Sequence, residues 1–295
     1  MSTPSLQLDL PPPILRIASG RDARPFVKWV GGKQQLLRQF EALLPPSFRR
    51  YCEPFVGGGA VFFHLWNSGR LPLRKFLFDN NAELVNTYLV IRDKTDELIE
   101  TLSVHRERHS KEYYYKIRQL DREDRAISDI ERAARMIYLN RTCYNGLYRV
   151  NSKGQFNVPM GSYINPQVLN EDVLRTASEC LREVSVELRD FRSVLDFAEP
   201  EDFFYLDPPY DPLSKTASFT SYTADSFDEE DQRELARVVR ELSDRGAFVM
   251  LSNSDTPLVR ELYGKFRIET VRARRAVNSN ANGRGSIQEV VALNY

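Results

Sequence analysis

The stretch "FFYLDPPYDP", Phe203 to Pro212, limits the possible folds more than any other part of this chain. Proline has no backbone N–H, so Pro208 and Pro209 in succession end any strand that reaches them. The run before them, Phe203-Phe204-Tyr205-Leu206, is apolar throughout, the pattern of a strand buried on both faces in a parallel sheet. Open α/β sheets place their ligands at the carboxyl ends of such strands, which is where Asp207 and Tyr210 stand. The stiffened backbone also leaves nearby carbonyls available to accept hydrogen bonds.

Periodicity divides the rest of the chain into three parts. From Phe26 to about Asn86 helix and strand alternate. "KQQLLRQFEALL" places Leu36, Leu37, Phe40, Leu43 and Leu44 on one face of a helix. "RRYCEPF" and "KFLFD" read as strands, with "AVFFHLW" starting a helix between them. From about Thr87 to Glu183 helical patterns such as "DIERAARMIYLNR" dominate. The exception is "GLYRVNSKGQFNVP", where Ser152-Lys153-Gly154 signals a β-hairpin turn. From Val184 onward strands and helices alternate again. The expected fold is α/β, a doubly wound (Rossmann-like) sheet built from residues 25–86 and 184–295. A mostly helical insert, 87–183, interrupts it, and a Pro-, Ser- and Gly-containing arm, 1–24, is expected to be mobile.

No stretch approaches the about 18 to 20 apolar residues of a membrane span, and the N-terminus lacks the pattern of a secretory signal. The expectation is a cytoplasmic protein with no membrane partner. Cys52, Cys143 and Cys180 form no CxxC pair, which suits reduced thiols and gives no support to a metal site. With 41 basic and 41 acidic residues, net charge alone argues against a nucleic-acid partner, but the distribution is uneven. Between Arg132 and Asn170 there is no Asp or Glu, while Arg132, Arg135, Arg141, Arg149 and Lys153 lie in that run. Arg260 to Arg284 is also basic. Local positive surface on a neutral chain fits a polyanion bound to one face.

Three motifs carry chemistry. In "EPFVGGGAVF" a strand runs through three glycines into a helix, so a ligand can approach bare backbone at a helix N-terminus. Such turns serve several enzyme classes, and neither GxGxxG nor GxxxxGK[ST] is present. Asp79 ends the next strand, in position to accept from a ribose diol or, more simply, to cap a helix. In "FVKWVGGKQQLL" Lys33 occupies a first helical turn, where the helix dipole disfavours a cation. Its partner is a ligand carboxylate, or it is a surface lysine without a role.

The third motif is Asp207-Pro208-Pro209-Tyr210. A carboxylate oxygen and the Pro208 carbonyl are both acceptors, and an exocyclic amine has two N–H donors that satisfy both. Two acceptors gripping adenine N6 favour a pyramidal nitrogen and stabilise the charge that develops when it attacks a methyl group. Tyr210 offers a face for an extruded base. Cytosine-C5 chemistry needs a cysteine after proline, whereas Tyr51, Thr142 and Glu179 precede the three cysteines.

Together, "KWVGGK", "EPFVGGGAVF", "LNRTCYNGLYRVNSKGQFNVPMGSY", "LDPPYDPLSKTASFTSYTADSF" and "LSNSDT" resemble the DNA adenine methylase family, alpha-class N6-adenine DNA methyltransferases. The resemblance covers nearly the whole chain from Phe26. It implies S-adenosyl-L-methionine as cofactor, double-stranded DNA as partner, no metal, a monomer, and a bacterial enzyme associated with the nucleoid. It makes the sheet a methyltransferase sheet and the insert a target-recognition domain. It places catalysis on Asp207, Pro208, Pro209 and Tyr210, and cofactor contacts on Trp29, Lys33, Phe55, Gly57, Gly59, Asp79, Asp190, Phe191 and Asp207. It places DNA contacts on Lys28, Arg141, Tyr144, Asn145, Leu147, Arg149, Asn157 and Pro159, with Tyr144 and Asn145 wedged beside a flipped adenine, within GATC. Two departures stand out: "PMGSY" puts Ser162 where relatives carry a cation, and "FDNNAEL" differs from the usual Asp-Ile-Asn. The competing readings are an exocyclic-amine RNA methyltransferase and a non-catalytic DNA-binding protein on the same scaffold.

Overall fold

The computed structural model describes residues 22–123, 126–212, 227–274 and 286–295. Among the described residues seven strands form one sheet: β1 (Arg50–Glu53), β2 (Arg74–Asp79), β3 (Val184–Leu188), β4 (Phe203–Leu206), β5 (Phe248–Ser254), β6 (Arg267–Arg274) and β7 (Ser286–Leu293). Their spatial order is β3-β2-β1-β4-β5-β7-β6. The first five are parallel, and β7 enters antiparallel between β5 and β6. The chain leaves β1 towards β2 and β3 on one side and returns to β4 and β5 on the other. The switch point therefore lies between β1 and β4, the place where open sheets of this kind bind their ligands.

β4 shows how the apolar run specifies this position. All four of its residues are buried, and alternate residues serve opposite faces. Phe203 and Tyr205 join the core under the helical half of the molecule. Phe204 and Leu206 join a second core under helices α8 (Glu229–Asp244) and α9 (Pro257–Tyr263). Asp228 begins α8 with a capping box, and Thr256 caps α9 ahead of Pro257.

Helix α1 (Leu37–Phe40) and helix α2 (Ala60–Asn67) precede β2, and α3 (Ala82–Asp93) follows it. Then come α4 (Thr95–Glu107), α5 (Lys111–Gln119), α6 (Asp129–Thr142) and α7 (Glu171–Leu181). Between α6 and α7 the expected hairpin is a short antiparallel loop. Val150 bridges Phe156, and Gly154 turns the tip at φ +74°.

Three sequence expectations need correction. The segment Lys33–Leu44 is not one helix. It opens with a 3-10 turn over Lys33–Gln35, and only Leu37–Phe40 is α-helical, although Leu36, Phe40 and Leu44 are buried as the pattern required. The helical insert does not begin at residue 87, because that point lies inside α3, which packs on both β2 and β3. The helices there share their core with the sheet: Tyr88, Leu102, Tyr114, Ile137 and Leu174 lie in one buried cluster with Tyr51, Leu77 and Phe203. Finally, the arm ends before residue 24. Ala23 is buried, and its N–H and carbonyl both bond the Asn67 side-chain amide, at 2.8 and 2.9 Å. Residues 1–21 lie outside the described residues.

Among the described residues no helix is long and apolar enough to cross a membrane.

Candidate active site

Four acids mark the carboxyl edge of the sheet, whereas residues 213–226 of the motif that follows Asp207 lie outside the described residues. Glu53 ends β1 and leads into the Phe55–Gly59 loop; Asp79 ends β2; Asp190 and Phe191 follow β3; Asp207 follows β4.

The glycine loop is held by its own chain. The Gly57 N–H donates to Asp79 Oδ2 at 3.0 Å, and the Tyr88 hydroxyl donates to the Gly57 carbonyl at 3.0 Å. Gly57 has φ +48°, and a Cβ there would lie 2.6 Å from Cδ1 of Trp29. Only glycine lets the indole pack onto this backbone. Trp29 in turn stacks on Tyr148, ring centres 5.7 Å apart, joining this edge of the sheet to the helical half.

Asp79 is buried, and its Oδ1 accepts from the Asn81 N–H at 2.9 Å. Burial pushes its carboxyl up to about 6, against the pull of these N–H donors. It does not cap helix α3; Asn81 does. Phe191 stacks on Phe55, centres 5.4 Å apart, and Phe227 packs against both rings. Asp190 caps the 3-10 turn of Phe191–Asp196 and pairs with Arg192 at 2.9 Å.

Lys33 answers one question left by the sequence. It is 3% exposed, so it is no surface lysine, and the structure supplies its anion. Its ammonium pairs with Asp207 Oδ2 at 2.8 Å, donates to the Gly31 carbonyl, and lies 4.8 Å from the centre of the Tyr210 ring. The other carboxylate oxygen, Asp207 Oδ1, is buried and has no hydrogen-bond partner among the described residues. Burial raises the Asp207 carboxyl, and Lys33 opposes the shift. Buried polar atoms without partners are rare in folded proteins. Here one follows β4 beside the switch point, next to two prolines that cannot donate to it.

Three contributors were missed in the sequence. Glu289 on β7 accepts from the Tyr210 hydroxyl at 2.7 Å; its signal was a single acid in the apolar run "EVVALNY". Phe227 gave no signal, since an isolated aromatic before a helix has many uses. Glu53 is buried, accepts from the Tyr51 hydroxyl at 2.8 Å, and is driven up to about 8 by burial. Unfolded, the carboxyl titrates near 4.5, so between 4.5 and about 8 the folded chain holds a proton that the unfolded chain has released. Glu53 therefore costs stability progressively as pH rises through that window. Glu53→Gln is expected to raise Tm by about 2 to 6 °C at pH 9 and by under about 1 °C at pH 4, read by calorimetry. A difference independent of pH would show that Glu53 is ionised throughout.

The expected DNA contacts divide into two groups. Tyr144, Asn145, Arg149, Pro159 and Lys28 are exposed and Asn157 is half-buried on one rim. Tyr144 is 54% exposed, Asn145 has φ +55°, and the Tyr144 N–H is tied to the Pro159 carbonyl at 2.9 Å. Gly146 fits because a Cβ would lie 2.3 Å from the Lys28 side chain. Arg149 Nε donates to Asn157 Oδ1 at 2.7 Å. In contrast, Leu147 packs half-buried against the core, and Arg141 donates to the Phe26 carbonyl at 2.6 Å. The basic run is also less available than its composition suggested. Arg132 pairs with Glu83 and Arg135 with Asp121, both at 2.7 Å, which leaves Arg149 and Lys153 as its exposed cations. In the second basic segment Arg260 pairs with Asp255 and Arg267 with Glu269, and residues 275–285 lie outside the described residues.

Comparison with known proteins gives the same family as the motifs. Residues 29–277 match the model of the D12 class N6 adenine-specific DNA methyltransferases. The chain belongs to that family. It is 45% identical to the Type II methyltransferase M1.LlaDCHI of Lactococcus lactis subsp. cremoris, across 92% of this chain and 95% of the relative. It is 42% identical to the Type II methyltransferase M.MjaIII of Methanocaldococcus jannaschii, across 93% of this chain and 100% of that one. With the DNA adenine methylase of Escherichia coli K12 the identity is 36%, across 92% and 95%.

Proposed function

We propose that this chain transfers a methyl group from S-adenosyl-L-methionine to N6 of an adenine swung out of duplex DNA, within GATC. The observation that carries this reading is the buried, unpartnered Asp207 Oδ1 at the switch point. The residues present suit the cofactor. Asp79 would take the ribose hydroxyls, the stacked pair of Phe55 and Phe191 would pack beside an adenine ring, and Trp29 and the bare backbone of Gly57 and Gly59 would line the approach, while Lys33 holds Asp207 in place.

When bound, the cofactor supplies an electrophilic methyl on a sulfonium sulfur. Asp207 Oδ1 and the Pro208 carbonyl accept the two N6 hydrogens and draw the nitrogen lone pair out of conjugation with the ring. The same two acceptors would stabilise positive charge developing on that nitrogen as it takes the methyl group. The surplus N6 proton leaves along a bond to an acceptor that already holds it. Tyr210, its hydroxyl fixed by Glu289, supports the base by stacking, typically about 1 to 3 kcal/mol. Tyr144 and Asn145 fill the space the base leaves, and Lys28 and Asn157 steady the backbone.

Sequencing with modified-base detection of DNA from a methylation-free host expressing this chain tests the reading. N6-methyladenine at GATC is expected; modified cytosine, or no modified base, would contradict it. In the same assay Arg149→Ala is expected to relax preference at one base pair, by about 1 to 3 kcal/mol of discrimination. An unchanged specificity profile would remove Arg149 from the readout.

A further inference from the structure

We infer that Gln232 and Asn253 are positioning residues that clamp the Asp207–Tyr210 loop from behind; the inference rests on the function proposed above. The need for a clamp follows from the loop's composition. Pro208 and Pro209 supply no N–H, so the loop cannot form the turn hydrogen bonds that would fix its backbone. Prolines limit φ but do not anchor a loop to the protein. The anchor comes from two buried amides on neighbouring elements. Gln232 on α8 is 1% exposed and donates from Nε2 to the Pro209 carbonyl at 2.9 Å. Asn253 near the end of β5 is fully buried, and its Oδ1 accepts from the Asp211 N–H at 3.1 Å. The two amides are joined, Asn253 Nδ2 donating to Gln232 Oε1 at 3.0 Å.

The orientation of each amide is fixed by groups of known polarity. A carbonyl at Pro209 requires the NH₂ of Gln232, and N–H groups of Asp211 and Ser254 require the oxygen of Asn253. The chain of bonds therefore has one consistent direction, from Asn253 through Gln232 to the loop. It fastens the backbone on both sides of Tyr210. Among the described residues the Pro208 carbonyl is left without a hydrogen bond, so the clamp holds its neighbours and spares the acceptor. Both amides are buried and engaged with the loop and each other, so neither is expected to contribute to binding.

The test is single-turnover methyl transfer to a GATC duplex by the full chain, with cofactor and duplex affinities measured in parallel. Gln232→Met removes the donor at similar length. It is expected to lower the transfer rate about 10- to 100-fold, as misplacement of reacting groups by about an ångström does. Cofactor and duplex affinities are expected to stay within threefold. Asn253→Asp keeps the oxygen facing Asp211 but loses the donor to Gln232. The double variant should be no slower than the worse single variant, within threefold, because either change breaks the same chain. Where Gln232→Met fails to fold, Gln232→Glu, which keeps the shape and the acceptor for Asn253 but loses the donor to Pro209, is read instead. A rate within threefold of wild type, matching losses of affinity, or additive effects in the double variant would overturn the clamp. A wild-type chain that moves no methyl group would overturn the proposed function itself; a competent wild type with an unimpaired Gln232 variant overturns the clamp alone.

Discussion

Asp207→Asn is expected to lower single-turnover methyl transfer by about 10²- to 10³-fold, the usual cost of removing one preorganised electrostatic contact to a reacting centre. Duplex affinity should change less than threefold. The substitution conserves shape, which makes the argument specific. Lys33 is buried, and its ammonium faces Oδ2 at 2.8 Å, so an asparagine must turn its oxygen towards Lys33. The NH₂ then occupies the place of Oδ1. An acceptor becomes a donor pointed at an amino group that itself has only donors to offer, and the grip on N6 is lost. The variant also leaves Lys33 without its counter-charge, which is a cost to folding, so Tm is measured beside the rate. A rate within tenfold of wild type would remove Asp207 from the chemistry.

The second large effect belongs to Asp79. Each of its oxygens holds one backbone N–H, of Gly57 and of Asn81, and each has a further lone pair for a ribose hydroxyl. Bonds to an ionised group are worth about 1.5 to 3 kcal/mol each, so losing two weakens cofactor binding by about 10²-fold or more. Asp79→Ala is therefore expected to reduce S-adenosyl-L-methionine affinity by that amount in calorimetry, with duplex affinity within threefold. The raised carboxyl gives a second signature. The group is ionised above about 6 and protonated below it, so wild-type cofactor affinity declines as pH falls through 6. The alanine variant should lack that decline. Equal affinity in the two proteins, or the same pH profile, would defeat the ribose role.

What could be read in the sequence was local. β4 was legible because four apolar residues run, through Asp207, into two residues that cannot donate, and the renewed alternation of strand and helix from Val184 marked the elements around it. The position of Asp207 at the end of that strand was legible for the same reason. What escaped was pairing across the chain. Lys33 raised a question about an anion, but nothing near it in sequence says that Asp207 is the answer. The acid-free run from Arg132 suggested an open basic face, yet Glu83 and Asp121 lie outside the run and neutralise Arg132 and Arg135. Glu289, Gln232 and Asn253 act through partners on other elements, so their roles appear only once the sheet brings β4, β5 and β7 side by side. The boundary placed at residue 87 failed for a related reason. Helix α3 is apolar towards both the sheet and α6, and periodicity records that a face is buried, not what buries it.

The most direct measurement is a crystal structure of this chain with a GATC duplex and a non-transferring cofactor analogue. The account predicts an adenine outside the helix, its N6 within about 2.7 to 3.2 Å of both Asp207 Oδ1 and the Pro208 carbonyl, and its ring on Tyr210. A crevice closed by the chain's own side chains, with the adenine still paired in the duplex, would contradict it.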